Sequence, residues 1–264
     1  MSADTSLLLP GGGLFTGVIL LVFGLLKKGK AGRLAGYKRT ATGHLRPGER
    51  QLISGPASGL AVLTAPVSKK PCIFYLEQTE RLEVSHSHRG GSHSRWVKSG
   101  LDAVGGFKVD DGSGGVLVFP SASSPDFSRQ EYGDDTTGLL ETAGDVRKTE
   151  QVLLEGDNVT VIGTPVTLSV VLAAVRGGSQ LNIPSDLMAA LVKLEQEGGA
   201  NTPCFFGHGA ETVSDLAYEA YKSDVSDSAR LYLQAGGMIA ILSAAALLYA
   251  LRSPGGGAAP NLDF

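Results

Sequence analysis

Apolar positions are concentrated at the two ends of the chain. Residues 7–26 and 231–251 are each about 20 nearly unbroken apolar residues, the length a helix needs to cross the roughly 30 Å hydrocarbon core of a bilayer. Between them the pattern turns to short alternating runs, which predict strands. Residues 52–54 and 60–64 are brief apolar runs broken by Pro and Gly. Residues 72–84 form the longest strand signal, with Ile73, Tyr75, Leu82 and Val84 alternating with polar positions. Residues 86–94 are a polar tip, and 95–99 read as the returning strand of a hairpin.

Turn chemistry predicts two further hairpins. Asp110-Asp111-Gly112-Ser113-Gly114 separates the apolar runs 107–109 and 116–119, and Glu155-Gly156-Asp157-Asn158 separates 152–154 from 159–162. Glycine accepts the positive φ that a tight turn demands. Residues 121–145 are polar and read as a loop or insertion. Residues 166–175 are ambiguous, with β-branched residues at the start and alanines at the end. Ser185 is expected to cap a helix over 186–196, with Leu187, Leu191 and Leu194 on one face, and 213–221 reads as a second helix.

The resulting expectation is an α+β membrane protein. A β-rich small barrel or sandwich lies between two transmembrane helices, with one or two short helices near the second span. Its segments are a first membrane helix with basic flank (1–30), the β domain (40–165), a helical extension (166–230), the second membrane helix (231–252) and a disordered tail (253–264).

Charge adds an orientation. Residues 1–6 contain Asp4 and no basic residue, whereas Lys27, Lys28, Lys30, Arg33, Lys38 and Arg39 follow the first apolar run. This is the reverse of a signal peptide. The positive-inside rule then places both termini outside and the central domain in the cytoplasm. The same lysines serve as a stop-transfer signal or attract anionic headgroups. Small residues recur at helical spacing in both apolar runs: Gly13 and Gly17 in the first, Gly236, Ala240 and Ala244 in the second. Such residues let helices approach closely in lipid, within one chain or between copies in a homo-oligomer. The net charge of −3 gives no basic field that would favour nucleic acid. Two cysteines, Cys72 and Cys204, exclude a four-cysteine zinc site within one chain and allow at most one disulfide.

No nucleophile elbow, phosphate-binding loop or zinc-protease pattern is present. His86, His88 and His93 are the candidate metal ligands, because alternate strand positions share a face and the hairpin tip would return the third imidazole towards them. Their reading otherwise is a hydrophilic hairpin tip. Arg95 and Trp96 are the candidate contact residues for a protein partner. No cofactor is implied.

Four blocks of the chain resemble a known family. Lys70-Pro71-Cys72-Ile73-Phe74-Tyr75 is similar to the "PC-x-x-Y" strand of the GIDE domain, also called the BAM (beside-a-membrane) domain. Arg95-Trp96 fits the strand that answers it. The run from Val109 to Val118 resembles that family's "DGTG-x-V-x-V" hairpin, and the run from Glu155 to Gly163 its "GD-x-V-x-V-x-G" ending. The resemblance spans about residues 40–165. It implies a membrane-anchored interaction or adaptor protein without its own catalytic site, with the bilayer and a protein as partners. Since the family includes a mitochondrial E3 ubiquitin ligase, it alternatively implies a component of a ligase-like system or of membrane organisation. The sequence departs from the ligase after the second apolar run, where residues 253–264 hold neither Cys nor His for a RING finger. It therefore reads as a prokaryotic-type member lacking the RING. Residues 177–200 appear as an insertion relative to the family pattern. A third reading is a metal sensor built on the histidine loop.

Overall fold

The computed structural model describes residues 5–86, 92–128, 131–135, 144–178 and 183–252, apart from the side chains of 5–11, 86, 131, 134, 135 and 250–252. In chain order the elements are α1 (Thr5–Gly36), β1 (Gln51–Gly59), β2 (Leu63–Thr64), β3 (Pro71–Cys72), β4 (Phe74–His86), β5 (Ser92–Gly105), β6 (Phe107–Asp110) and β7 (Gly115–Pro120). There follow β8 (Glu131–Asp135), β9 (Val146–Leu153), β10 (Asn158–Gly163), β11 (Val166–Thr167), α2 (Leu168–Arg176), α3 (Ser185–Gln196), β12 (Pro203–Gly207), β13 (Ala210–Ser214) and α4 (Tyr218–Arg252). The class is α+β. Two units are distinguished: residues 37–221, and a helical unit containing α1 and α4 from Lys222 onward.

The β unit is built on a mixed seven-stranded sheet in the order β11-β12-β7-β6-β1-β10-β13. All pairs are antiparallel except β12 with β7. Strands β12 and β13 are consecutive in the chain, yet five strand spacings separate them in the sheet order. A flat sheet would put them about 24 Å apart at roughly 4.8 Å per strand. The link Gly207-His208-Gly209 spans at most about 11 Å at 3.8 Å per Cα step. The sheet must therefore curl until its ends approach each other. The two ends are bridged by the chain rather than by a ladder, so the sheet is not a closed barrel. Gly207 makes the turn with φ of 55°, and Gly209 donates to the Phe206 carbonyl at 2.8 Å.

The core follows from this curl. Ile53, Phe74, Phe107, Val109, Val118, Leu153, Val161, Phe205 and Val213 are fully buried inside it. The outer side of β7 and β12 is covered by α2 and α3, which bring Leu168, Val171, Leu172, Leu187 and Leu191 against Leu117, Phe119 and Cys204. Residues 177–200, read as an insertion, supply α3 of this covering layer. Residues 166–230, expected to be a helical extension, also contribute three strands to the main sheet. In particular, 213–221 is not one helix. Val213 is locked in β13 opposite Val161, with its N–H donating to Ser124 and its carbonyl accepting from Asp126. Helix α4 begins only at Tyr218 and continues without a break into the second apolar run. Ser185 is the first residue of α3 rather than its cap, and its hydroxyl donates to Asp186.

A second sheet, β5-β4-β9-β8, extends from Phe74. The 13 residues of β4 reach about 43 Å at roughly 3.3 Å per residue. Ladder pairing with β9 ends at Arg81, whereas pairing with β5 continues to His86. Strand β8 lies within the stretch expected to be an irregular loop. Where the sheet leaves the core, the fully buried Glu150 of β9 accepts from Val67 N (2.7 Å), Ser68 N (3.2 Å) and Ser68 Oγ (2.6 Å). A buried carboxylate needs such donors to offset its lost hydration, and here they pin the β2–β3 turn.

In the helical unit, α1 runs through the basic stretch after Leu26 instead of ending there. Both helices are long and apolar enough to cross a membrane, over Gly12–Gly36 and Tyr218–Tyr249, and fit a two-span membrane protein. They pack antiparallel on each other through small residues. A Cβ on Gly17 would lie 2.7 Å from the Ala240 backbone nitrogen, and one on Gly236 would lie 2.9 Å from the Gly17 carbonyl. Elsewhere large apolar side chains point outward, Phe15 and Ile241 being 69% and 70% exposed.

Candidate functional site

The ribbon formed by β4 and β5 carries the residues singled out in the sequence. Leu82 of β4 faces Trp96 of β5, and Glu83 faces Arg95. Directly opposed residues share a face of the sheet. Trp96 is half-buried beneath the Arg147 guanidinium of β9, whose Cζ lies 4.6 Å from the ring centroid. Arg147 is held there by Glu80 at 2.5 Å. Trp96 is thus the base of a cation–π stack on the surface of the ribbon. Arg95 is exposed, lies 3.4 Å from Glu83, and borders a shallow cleft of about 570 Å³ with Arg81, Val84 and Gly144.

The histidines fare differently. His86 is the last residue of β4 and opposes Ser92, while His93 opposes Ser85. The two histidine positions are therefore of opposite parity along the pleat, and the register does not bring them to one face. His88 lies outside the described residues, as does the His86 side chain. Among the described residues no three His, Cys, Asp or Glu side chains are placed to share a metal ion.

A second cleft, of about 530 Å³, opens beside β1 and was not foreseen from the sequence. Arg39, Ser54, Asp110, Asp111, Asn158, Tyr218 and Glu219 line it. Strand β1 pairs with β10 as far as Pro56 and with β6 from Ala57, so its Ser54–Pro56 segment lies where the two ladders part. Ser54 Oγ accepts from Tyr218 N at 3.0 Å and lies 3.2 Å from the buried Thr160 hydroxyl, which donates to Leu216 O at 2.8 Å. Tyr218 OH donates to Tyr37 O at 3.4 Å. Arg39 donates to Ser54 O at 2.6 Å and lies 3.7 Å from Asp111.

Asp111 is the best-held of these groups. It accepts from Ser113 Oγ (2.5 Å) and N (3.1 Å) and from Thr42 Oγ1 (2.6 Å). The hydrogen bonds from Ser113 and Thr42 hold its carboxyl well below the usual carboxylate range. Lys108 and the Gly112 N–H lower Asp110 in the same way. A general acid or base works best with a pKa near the operating pH, and these two are driven in the other direction. The cleft presents fixed charges and hydrogen-bonding groups, which suits recognition of a polar partner. The signal in the sequence was Asp110-Asp111, which turn chemistry alone explained. Arg39, Tyr218 and Asn158 join it only through the tertiary fold.

The two thiols are buried and free. Burial, aided at Cys72 by the negative charge of Glu150, pushes Cys72 up to about 11, and burial pushes Cys204 up to about 12. A thiolate is the reactive form, so neither is poised as a nucleophile.

No protein-family model matches this chain, and no curated protein or solved structure does so either.

Proposed function

We propose that this chain is a membrane-anchored interaction module whose β unit docks a protein partner at the cytoplasmic face of a bilayer. The observation that carries this reading is the outward apolar surface of the α1–α4 pair. The helices meet through Gly17, Gly236 and Ala240, and their large residues, Phe15, Val22, Leu242 and Leu248 among them, point away from that contact. Lipid is the solvent in which such a surface has no cost. The basic flank from Lys27 to Arg39 sets the orientation by the positive-inside rule, with the β unit in the cytoplasm and both termini outside.

The β unit offers recognition rather than chemistry. Its projecting β4–β5 ribbon and the Arg39–Asp111 cleft present charged groups on rigid strands. The resemblance to the GIDE/BAM family supports the same reading. The residues that carry that resemblance lie at Cys72 in β3, in the turn between β6 and β7 and in the turn between β9 and β10.

The test is purification of the full chain from its native membrane in mild detergent, with a photo-crosslinking residue at position 95. A stoichiometric partner crosslinked from that position supports the module, and ubiquitin-pathway machinery as that partner would identify a ligase-linked adaptor. Extraction by alkaline carbonate, or a chain that purifies with no partner and no crosslink, overturns the reading.

A further inference from the structure

The α1–α4 pair opens into a small cleft at one level along its length. Gly24 packs against Leu233, where an added Cβ would lie 2.9 Å from the Leu233 nitrogen. Immediately beyond that contact, Lys28, Ala31, Ser226, Ala229, Arg230 and Gln234 surround a space of about 240 Å³. Ala31 and Ala229 are too small to fill it. Lys28 and Arg230 supply two cations, Ser226 and Gln234 supply neutral hydrogen-bonding groups, and no carboxylate lines it. Asp227, beside Ser226 in the sequence, accepts the Ser223 hydroxyl at 3.0 Å.

The level of this cleft is set by its neighbours. Lys28 follows the apolar run two residues after Leu26, and Arg230 directly precedes Leu231. Tyr232 lies 6.5 Å from Phe23 on its apolar side, and the Lys27 ammonium lies 5.9 Å from the same ring. An aromatic ring between apolar and cationic neighbours is the arrangement found at the headgroup level of a bilayer. Two cationic residues lining one cleft between helices at that level match a phosphodiester.

We infer that the Lys28–Arg230 cleft binds the phosphate headgroup of an anionic phospholipid. This rests on the membrane reading above. The guanidinium would take two phosphate oxygens and the ammonium a third position, while the acyl chains would lie along the outward apolar surface of α1 and α4. Free phosphate shares the headgroup chemistry but lacks those chains.

The test uses the full chain in phosphatidylcholine nanodiscs and in detergent. Phosphatidylglycerol is titrated in, and bound lipid is counted by native mass spectrometry. The double variant K28Q/R230Q is expected to weaken phosphatidylglycerol binding about thirtyfold, at about 1 kcal/mol per cation and 1.4 kcal/mol per tenfold. The double variant R33Q/K38Q removes the same charge from the basic flank outside the cleft and is expected to change it less than threefold. The conservative pair K28R/R230K is expected to retain binding, which guards against a merely unfolded variant. Equal losses in both Gln pairs, or no preference for phosphatidylglycerol over phosphatidylcholine, overturns the site while leaving the membrane reading standing. Displacement of the lipid by millimolar inorganic phosphate assigns the cleft to the free anion and overturns the lipid. Failure of the chain to enter nanodiscs at all overturns the membrane reading, and the site with it.

Discussion

Gly17 of α1 lies against the backbone of Ala240 in α4, closely enough that a Cβ on Gly17 would sit 2.7 Å from the Ala240 nitrogen and 3.0 Å from its Cα. The obstacle is backbone, so no side-chain rotation relieves it. Substitution Gly17→Leu is therefore expected to push the helices apart, at a cost of about 1–3 kcal/mol for overpacking. A Cβ on Gly29 would meet nothing within 4 Å, and Gly29→Leu is expected to be nearly silent. Thermal unfolding of the two variants in the same detergent separates them. Equal midpoints would show that the helices do not meet at Gly17.

Glu150 supports a second expectation. Removing its carboxylate in Glu150→Ala leaves the Val67 and Ser68 N–H groups and the Ser68 hydroxyl without their acceptor. Buried unsatisfied donors cost roughly 1–3 kcal/mol each when no water reaches them. The variant is expected to lose about 2–4 kcal/mol overall, as the turn relaxes towards solvent. Glu150→Gln keeps one acceptor and is expected to lose less. Denaturant midpoints of the three proteins in detergent test the order; Glu150→Ala as stable as the parent would remove Glu150 from its anchoring role.

Asp111 predicts a pH dependence of defined sign. Its folded pKa is lowered by the hydrogen bonds from Ser113 and Thr42, so its ionised form favours the folded state. That contribution is fully present above the unfolded value of about 3.9. It is lost progressively as pH falls below that value towards the lower folded one. The parent is expected to melt higher than Asp111→Asn at pH 7, and the gap is expected to close below about pH 4. A gap that stays constant from pH 7 to pH 2 would mean that Asp111 acts by shape alone.

Local chemistry made part of this fold readable from the chain. The hairpins at Asp111-Gly112 and Gly156-Asp157 were legible because a glycine with positive φ and an aspartate beside it specify a turn without help from elsewhere; φ is 89° at Gly112 and 84° at Gly156. The two apolar helices were legible from length and composition. The parallel pairing of β7 with β12 was not, because Leu117 and Cys204 meet across 87 positions of sequence and nothing in Pro203–Gly207 encodes its partner. Val213 was misread as helical because its strand geometry comes from β10 on one side and the Ser124–Asp126 backbone on the other. The Arg39–Asp111 cleft was hidden for the same reason. Its residues come from five separate stretches of chain, each of which has an adequate local explanation.

The buried thiols predict unreactive cysteines. With Cys72 pushed up to about 11 and Cys204 to about 12, only a small fraction of either is thiolate at pH 8. Access is limited too, since both are at most 2% exposed. Iodoacetamide at pH 8 is expected to label the folded protein at least a hundredfold more slowly than the denatured chain, where the thiol value returns to about 8.5. Peptide mass spectrometry over a labelling time course measures this at each site. Rapid modification of Cys72 in the folded protein would show that the β2–β3 turn opens, and would place the Glu150 anchor in doubt.

Trp96 turns the ribbon into its own reporter. It is the only tryptophan in the chain, so intrinsic fluorescence at long excitation reads the β4–β5–β9 surface alone. The Arg147 guanidinium covers the ring at 4.6 Å, and Glu80 holds it in place. A cation over an exposed aromatic face contributes about 0.5–1 kcal/mol, so Arg147→Gln is expected to leave the fold intact with only a small loss of stability. The same substitution uncovers the ring, and acrylamide quenching is expected to rise about twofold. Glu80→Gln is expected to show a smaller rise, because it loosens Arg147 without removing it. Unchanged quenching in Arg147→Gln would mean that the stack does not form. A partner that docks on this face would reduce quenching in the parent and in both variants. One that docks at the Arg39–Asp111 cleft would leave it unmoved, which lets one fluorescence titration tell the two proposed docking faces apart.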